Sequence, residues 1–586
     1  MPGLLLDMEQ PPAAAPAKRP NYGFTVAHQT VELDVDFSTQ SLRGHCEIII
    51  IPQFKDLPVV RIDAQQCKII DSSVTVNGKE ATYFYSDHTE VLNIPEYIDW
   101  TANQYEMQHN RLDRIKTDLS LAIAIPDSVH IEEVSPFSEN ATSAMIQRAA
   151  TIRGASVAGN DPISAIPKTA AEQISSFQPL TISMSFTVEN FRDGLHFVGM
   201  TALDKRFPHV YTRHSVDPGT ASCIFPCIDD PTLRCTWSIS IKCSRTLGDA
   251  LKRKPNLPDL KTAHHKRNDG LLGVAMVEEY QVPLSEEEKL LDMAVVCSGF
   301  VQDEVIDLED NSKKIVTFEV GSVVSAQHIG FAIGPFEQVD LASEFREEDD
   351  DEKLGQGQAL PVWGYCLPGR VDELRNTCFN VVHAVDWFVL TFGSFPFPEA
   401  KFVFVDDQIQ DVEHTASLTL CSSRLLYPED VIDPERENMR TLAHALASQW
   451  MGVGIIPNEP LDRWVTIGLS HFMTGLYMKV RCGTNDYLFR QKAESDRLVE
   501  LDVARPPLTV LGTILNLGRF EYEFMALKAP LVLFILDKRI IKATGSAGLS
   551  RVITKIVMGS NTSGENVLTS ESFRKQIEKI TKYRQT

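Results

Sequence analysis

From Val26 the hydrophobic and polar positions alternate with a period of two. VAHQTVELDVDFSTQSLRGHCEIIIIP runs apolar–polar, breaks at a polar turn, and alternates again. Successive side chains of a strand point to opposite faces, so this pattern predicts a hairpin with one buried face. The runs VVRIDA, KIIDSSVTVNG, LTISMSFTV and GLHFV repeat the signature, and GFAIGPFEQVD closes it; together they predict an antiparallel β domain over residues 21–340. Residues 1–20, rich in Pro, Ala and Lys, have no period and are expected to be disordered. From about 102 to 178 the chain turns polar and sustains neither period, which predicts a long, partly disordered insertion. Beyond the charge run SEFREEDDDEKLGQGQ, read as an exposed loop at the domain boundary, the pattern changes. WFVLTFGSFPFPEAKFVFVDD predicts a helix followed by a buried strand, and residues 341–586 read as a second, α/β domain.

Within that second domain the stretch Thr441 to Gly452 has helical spacing. Asp433 is placed to cap its start, Pro434 to occupy its first turn, and Gly452 and Gly454 to end it, which predicts a helix of about five turns. A zinc peptidase of the HExxH type carries two histidines at i and i+4 on one helix face, with a glutamate between them to polarise water. Here the frame reads HALAS: His444 stands, Ala445 takes the glutamate position, and Ser448 takes the second histidine position. One histidine in a helix is by itself most often a satisfied core residue, so the flanks decide.

HALASQWMG is similar to the HELAHQWFG of the M1 aminopeptidases, and DRWVTIGLSHF lies where that family has NDLWLNEGFASYF. Eighteen residues lie between Ser448 and Ile467, the family interval to its third zinc ligand. FPCIDDPTLRCTW resembles the signature FPCFDEPxxKAxF, VEHTASLTLCSS falls where the family has GAMENWGLITY, and FMALKAPLVLFIL resembles YxKGAxVLRML with Ala526 in place of the oxyanion-stabilising tyrosine. In that frame His414 takes the position of the glutamate that anchors a substrate amino terminus, with Glu413 one residue out of register. The resemblance implies an M1 aminopeptidase-like, α+β multidomain fold: an N-terminal antiparallel β saddle domain followed by a thermolysin-like α/β domain. With GLHFV and HVYT it is closer still to M1-like components of the general transcription factor TFIID.

That resemblance implies a degenerate site at His444, Ala445, Ser448, Ile467 and Ala526, with no metal, no cofactor and no catalytic residue. The implied role is a non-catalytic scaffold in the nucleus that supports RNA polymerase II preinitiation complex assembly. Its implied partners are other TFIID subunits, subunits 1 and 8 among them, and core-promoter DNA. Two alternatives stay open: a zinc-dependent aminopeptidase with an altered site rebuilt from Glu413, His414, Glu459 and His471, and a peptide-binding pseudo-enzyme. Trp450, Gly452, Asp462, Trp464 and Gly468 are read as packing the two site helices, with Trp450 buried against the helix that contains Trp464.

A net charge of -23 opposes a protein whose main task is coating nucleic acid, since phosphate binding wants a basic surface. Any DNA contact is therefore confined to local basic surface, for which the best candidate is the loop carrying Lys252, Arg253, Lys254, Lys261, Lys266 and Arg267. The same loop reads equally as a solvated connection or a partner contact. Eleven cysteines without paired CxxC spacing read as reduced thiols, and the spacing of Cys223, Cys227, Cys235 and Cys243 fits no common zinc site. With no apolar run of membrane-spanning length and no leader-like start, the expectation is an intracellular, soluble protein without membrane partners.

Overall fold

The computed structural model describes residues 22–87, 120–133, 177–213 apart from 190 and 202, 220–252, 282–346, 354, 359–511, 519–545 and 548–581 apart from 565. The expected disordered N-terminus, 1–20, lies outside them. So does most of the polar insertion.

The opening alternation becomes the strands Phe24–Asp36 and Ser41–Pro52, paired antiparallel from Phe24 opposite Pro52 to Asp36 opposite Ser41. They lie in the middle of a nine-stranded sheet that continues through Leu180–Val188 on one side and Cys235–Ser244, Lys313–Val324 and Phe300–Ile306 on the other. Inward positions such as Val31, Leu33, Ile48, Ile182, Ile239 and Phe318 form the first hydrophobic core, and polar side chains alternate with them. The sheet is not wholly antiparallel as predicted. Phe24–Asp36 and Cys235–Ser244 run parallel, which the long excursion between them permits. A four-stranded antiparallel sheet, in the order Gly194–Val198, His209–Arg213, Phe331–Gly334 and Ala294–Cys297, packs beside it.

Two boundaries differ from the sequence reading. Leu121–Ala124, inside the predicted insertion, is a strand paired with Val59–Ile62 and Tyr83–Tyr85, and its Leu121 and Ile123 are fully buried. Four residues are too few to show a period amid polar sequence. Glu337–Asp340, placed in the first domain, pairs instead with Val362–Cys366 and so opens the second sheet. That sheet runs Glu337–Asp340, Val362–Cys366, Ala400–Val405, Leu418–Ser422, Val412–Thr415, with its three central strands parallel and the two edge strands antiparallel.

Helices Val371–Phe392, Glu435–Trp450, Arg463–Leu501, Arg519–Thr544, Leu549–Ser563 and Ser570–Thr581 supply most of the rest of the second domain. The long helix Arg463–Leu501 is two helices joined at Gly483, whose φ of 88° breaks the helical path. Gly468 allows it to approach Arg519–Thr544 closely: a Cβ there would meet the Ala529 Cβ at 3.0 Å. All eleven cysteines are free, and all but the half-buried Cys482 are buried.

Candidate functional site

The helix that carries HALAS runs Glu435–Trp450, 16 residues and so a little over ~4 turns rather than five. Its start also differs from the prediction. Pro434 holds the N-cap position without any side-chain capping bond, so Asp433 does not cap. The fixed proline φ already suits the helix, and the Pro434 carbonyl accepts its first bond, from Asn438 N–H at 2.9 Å. At the other end Met451 N–H bonds Ala447 O, and Gly452, at φ 145°, turns the chain out.

Three elements hold this helix end in place. Gln449, buried, donates from Nε2 to Thr415 O at 3.0 Å and accepts at Oε1 from Ser417 N–H at 3.2 Å, so the helix is tied to the edge hairpin of the second sheet. Trp450 donates from Nε1 to Ser394 O at 3.0 Å. Its ring packs on Phe388 and Phe395, centroids 5.8 and 4.9 Å away. Trp450 is thus buried, but against helix Val371–Phe392 and the loop after it, where the aromatic residues are. The expected partner Trp464 instead donates to Ser570 Oγ at 3.1 Å, beside Asp462, whose carboxylate accepts from Ser570 N–H at 2.7 Å. From the first domain, Arg234 of the TLRC stretch reaches across to the carbonyls of Val453 and Gly454 at 3.1 and 3.0 Å. Burial lowers its guanidinium to about 10.

The face of the helix that bears His444 is built differently. His444 stacks on His471 of helix Arg463–Leu501, ring centroids 3.9 Å apart and planes inclined by 17°. His414, on the strand Val412–Thr415, sets its ring edge-on to His444 at 5.8 Å. The Ser448 hydroxyl reaches His444 Nε2 only at 3.5 Å, and His414 Nδ1, His444 Nδ1 and His471 Nε2 are buried without partners. Arg440, one turn before His444, likewise leaves its Nε unpaired. Burial holds all three imidazoles neutral at pH 7: His414 and His471 are pushed down to about 4, and His444 well below its ordinary value, with neighbouring His471, His414 and Arg440 adding to the effect.

Glu413 points to the other face of its strand, as adjacent strand residues must. Burial pushes its carboxyl up to about 7, against the opposing pull of Arg213 in the first domain. The structure therefore brings His414 and His471 to His444 and sends Glu413 away; among the described residues no contact joins Glu459 to the cluster. Ala445 is fully buried in the second-domain core, and Ile467 packs toward Leu511, Phe524, Met525 and Ala529. Ala526 lies on helix Arg519–Thr544. Of the basic loop, only Lys252 is described, exposed after the short helix Leu247–Leu251; Arg253, Lys254, Lys261, Lys266 and Arg267 lie outside the described residues.

These donors do not fit a catalytic zinc. Such a site needs three protein ligands converging on one point. An imidazole binds metal through a lone pair in its ring plane, and the planes of two stacked rings whose centroids lie 3.9 Å apart, inclined by only 17°, do not meet within bonding distance. Among the described residues, no group of three or more His, Cys, Asp or Glu side chains is placed to hold a metal ion. No described helix is long and apolar enough to cross a membrane. Sequence reasoning missed Arg234 and Arg440, both of which depend on tertiary approach.

No family model matches the chain. Curated relatives do. Over 542 residues it is 33% identical to Transcription initiation factor TFIID subunit 2 of Schizosaccharomyces pombe, an alignment covering 91% of this chain and 42% of that protein. Over 662 residues it is 27% identical to the subunit 2 of Saccharomyces cerevisiae, covering 95% of this chain and 45% of that one. The chain thus spans less than half the length of these relatives. A more remote likeness, 20% over 503 residues, is to Endoplasmic reticulum aminopeptidase 1 of Rattus norvegicus, covering 82% and 46%. Among solved structures, native leukotriene A4 hydrolase from Saccharomyces cerevisiae superposes with a TM-score of 0.60 at 14% identity, covering 96% of this chain and 68% of that one. At that identity the likeness is one of fold, and the fold is the M1 aminopeptidase-like α+β multidomain one.

Proposed function

We propose that this chain, a relative of TFIID subunit 2 built on an M1 aminopeptidase-like fold, is a non-catalytic scaffold within TFIID. In this reading it works in the nucleus, holds neighbouring subunits, subunits 1 and 8 among them, and supports preinitiation complex assembly with RNA polymerase II. Any core-promoter DNA contact runs through the basic loop from Lys252 to Arg267. The observation that carries the non-catalytic part is the histidine stack. Where a hydrolase gathers ligands round a metal and a base beside it, this chain packs one imidazole on another and buries a methyl group, Ala445. Loss of a general base alone typically removes 10²- to 10⁴-fold in rate. The anchors at Gln449, Trp450 and Arg234 support the scaffold reading, because they fix the helix end to the edge hairpin, to the loop after Val371–Phe392 and to the first domain without serving any chemistry.

Two measurements test it. Affinity purification of the full chain from nuclear extract, with identification of co-purifying chains, should return TFIID subunits; their absence would overturn the assembly role. Elemental analysis should find no stoichiometric zinc, and amino-acid amides should stay uncleaved; chelator-sensitive hydrolysis would overturn the non-catalytic role. The triple variant Ala445→Glu, Ser448→His, Ile467→Glu should regain metal more readily than turnover, because outer-shell support is also missing.

A further inference from the structure

The strand Phe300–Ile306 ends the nine-stranded sheet, and it breaks the rule that the inner strands obey. In Lys313–Val324 beside it, buried and part-exposed side chains alternate; in FVQDEVI all seven residues are exposed. Register places Phe300 and Val305 opposite Glu319 and Ile315 on the outer face, and Val301 and Ile306 opposite Phe318 and Lys314 on the core side. These four apolar side chains are between 41 and 51% exposed, on both faces of one strand. Among the described residues no strand pairs with the far edge, whose backbone groups are therefore left to solvent. Such an edge is a template for strand addition unless something blunts it.

What blunts it is charge of one sign. From Phe300 to Ser312 the chain carries Asp303, Glu304, Asp307, Glu309 and Asp310 and no basic residue. Glu304 pairs with Lys314 at 2.9 Å and Asp307 with Lys242, while Asp303 and Glu309 have no ion-pair partner among the described residues. Antiparallel self-pairing of two such edges would set carboxylates against carboxylates, which is destabilising. The same charges that reject a second copy attract a strand of opposite sign. We propose that this edge docks an extended segment of another polypeptide in which apolar residues alternate with lysine or arginine. The added strand supplies the missing ladder, its apolar side chains cover Val301 and Ile306 on the core side, and its cations lie on the outer face beside Asp303.

The proposal does not depend on the TFIID reading, and it is tested with the full chain and a defined probe: a ten-residue peptide of alternating lysine and valine. Hydrogen exchange at those amides of residues 300–306 that point away from Lys313–Val324 should slow at least tenfold with this peptide and stay unchanged with a lysine–glycine peptide of equal charge. Asp303→Lys with Val305→Lys, both at exposed positions, should weaken binding at least tenfold while leaving the melting temperature of the chain unchanged. Three results would overturn the proposal. Exchange already slow in the chain alone would mean another part of the chain covers the edge. Slowing that depends on chain concentration would mean a second copy does. Equal protection by both peptides, or by neither, would leave no strand-specific site.

Discussion

The two ends of the site helix differ in how their polar groups are spent. At the C-terminal end Gln449 bonds through both amide atoms, Trp450 through its indole N–H, and the turn beyond is held by Arg234 from the other domain. About one and a half to three turns earlier, His444 and Arg440 each leave a buried nitrogen unpaired, and Ser448, next to Gln449 in sequence, makes only a 3.5 Å contact with His444. The difference separates two kinds of constraint that an enzyme of this fold holds together. Groups that position the helix contribute to stability whether or not chemistry follows; groups left with unpaired nitrogens contribute only through packing.

The largest effect that breaks this comparison at its anchored end is Trp450→Ala. It removes a ring that is 2% exposed and leaves a void among Phe388 and Phe395, so equilibrium unfolding should show a loss of about 3–5 kcal/mol. A loss below about 1 kcal/mol would place the ring outside the core. Next comes Gln449→Leu, which strands the Ser417 N–H and the Thr415 carbonyl inside the interface, at about 1–3 kcal/mol. Because both bonds cross from helix to hairpin, exchange of the Ser417 amide should accelerate more than that of the helix interior.

Acidification sharpens the other end. A histidine whose folded value is pushed down stays neutral in the native state while the unfolded chain takes up its proton, so stability present above about pH 6.5 is lost as pH falls toward about 4. Each such group contributes ~1.4 kcal/mol per pH unit across that window. Glu413 works in the opposite sense: its raised carboxyl makes the native state bind a proton between the ordinary carboxylate range and about pH 7, so it favours the fold on acidification and offsets part of the loss. The native chain should therefore lose stability between pH 6.5 and 5. Replacing His471 by leucine should flatten that slope by about one proton; an unchanged slope would mean His471 titrates normally.

How much of this was readable beforehand follows from the range of each interaction. The site helix, the opening hairpin and the 18-residue register were legible because periods of 3.6 and 2 are local. Histidines 444 and 471 could each be picked out as belonging to the site, yet nothing in either helix says that their rings stack, since that depends on how the two helices pack against each other in three dimensions. The parallel pairing of Phe24–Asp36 with Cys235–Ser244 joins segments some two hundred residues apart, beyond any periodic signal. Leu121–Ala124 was lost in polar surroundings because four residues carry too little pattern. The edge strand FVQDEVI reads as an ordinary strand in sequence; only its place at the end of the sheet makes its apolar residues unusual.

The smallest expected effect is the one that most directly probes the histidine face. At pH 7.5 His471 is neutral, its Nε2 has no partner, and its principal contact is the His444 ring. Leucine has a similar volume and no unsatisfied nitrogen, so His471→Leu exchanges a stacking contact for apolar packing and removes one desolvated polar atom. These terms oppose each other, and the unfolding free energy at pH 7.5 should change by less than about 1 kcal/mol in either direction. A loss of 3 kcal/mol or more would mean that the imidazole is bonded to something the chain acquires in solution, such as a metal ion or a bound segment. Repeating the measurement after dialysis against a chelator distinguishes those two: a metal contribution disappears from the native chain on chelation, while a segment contribution stays.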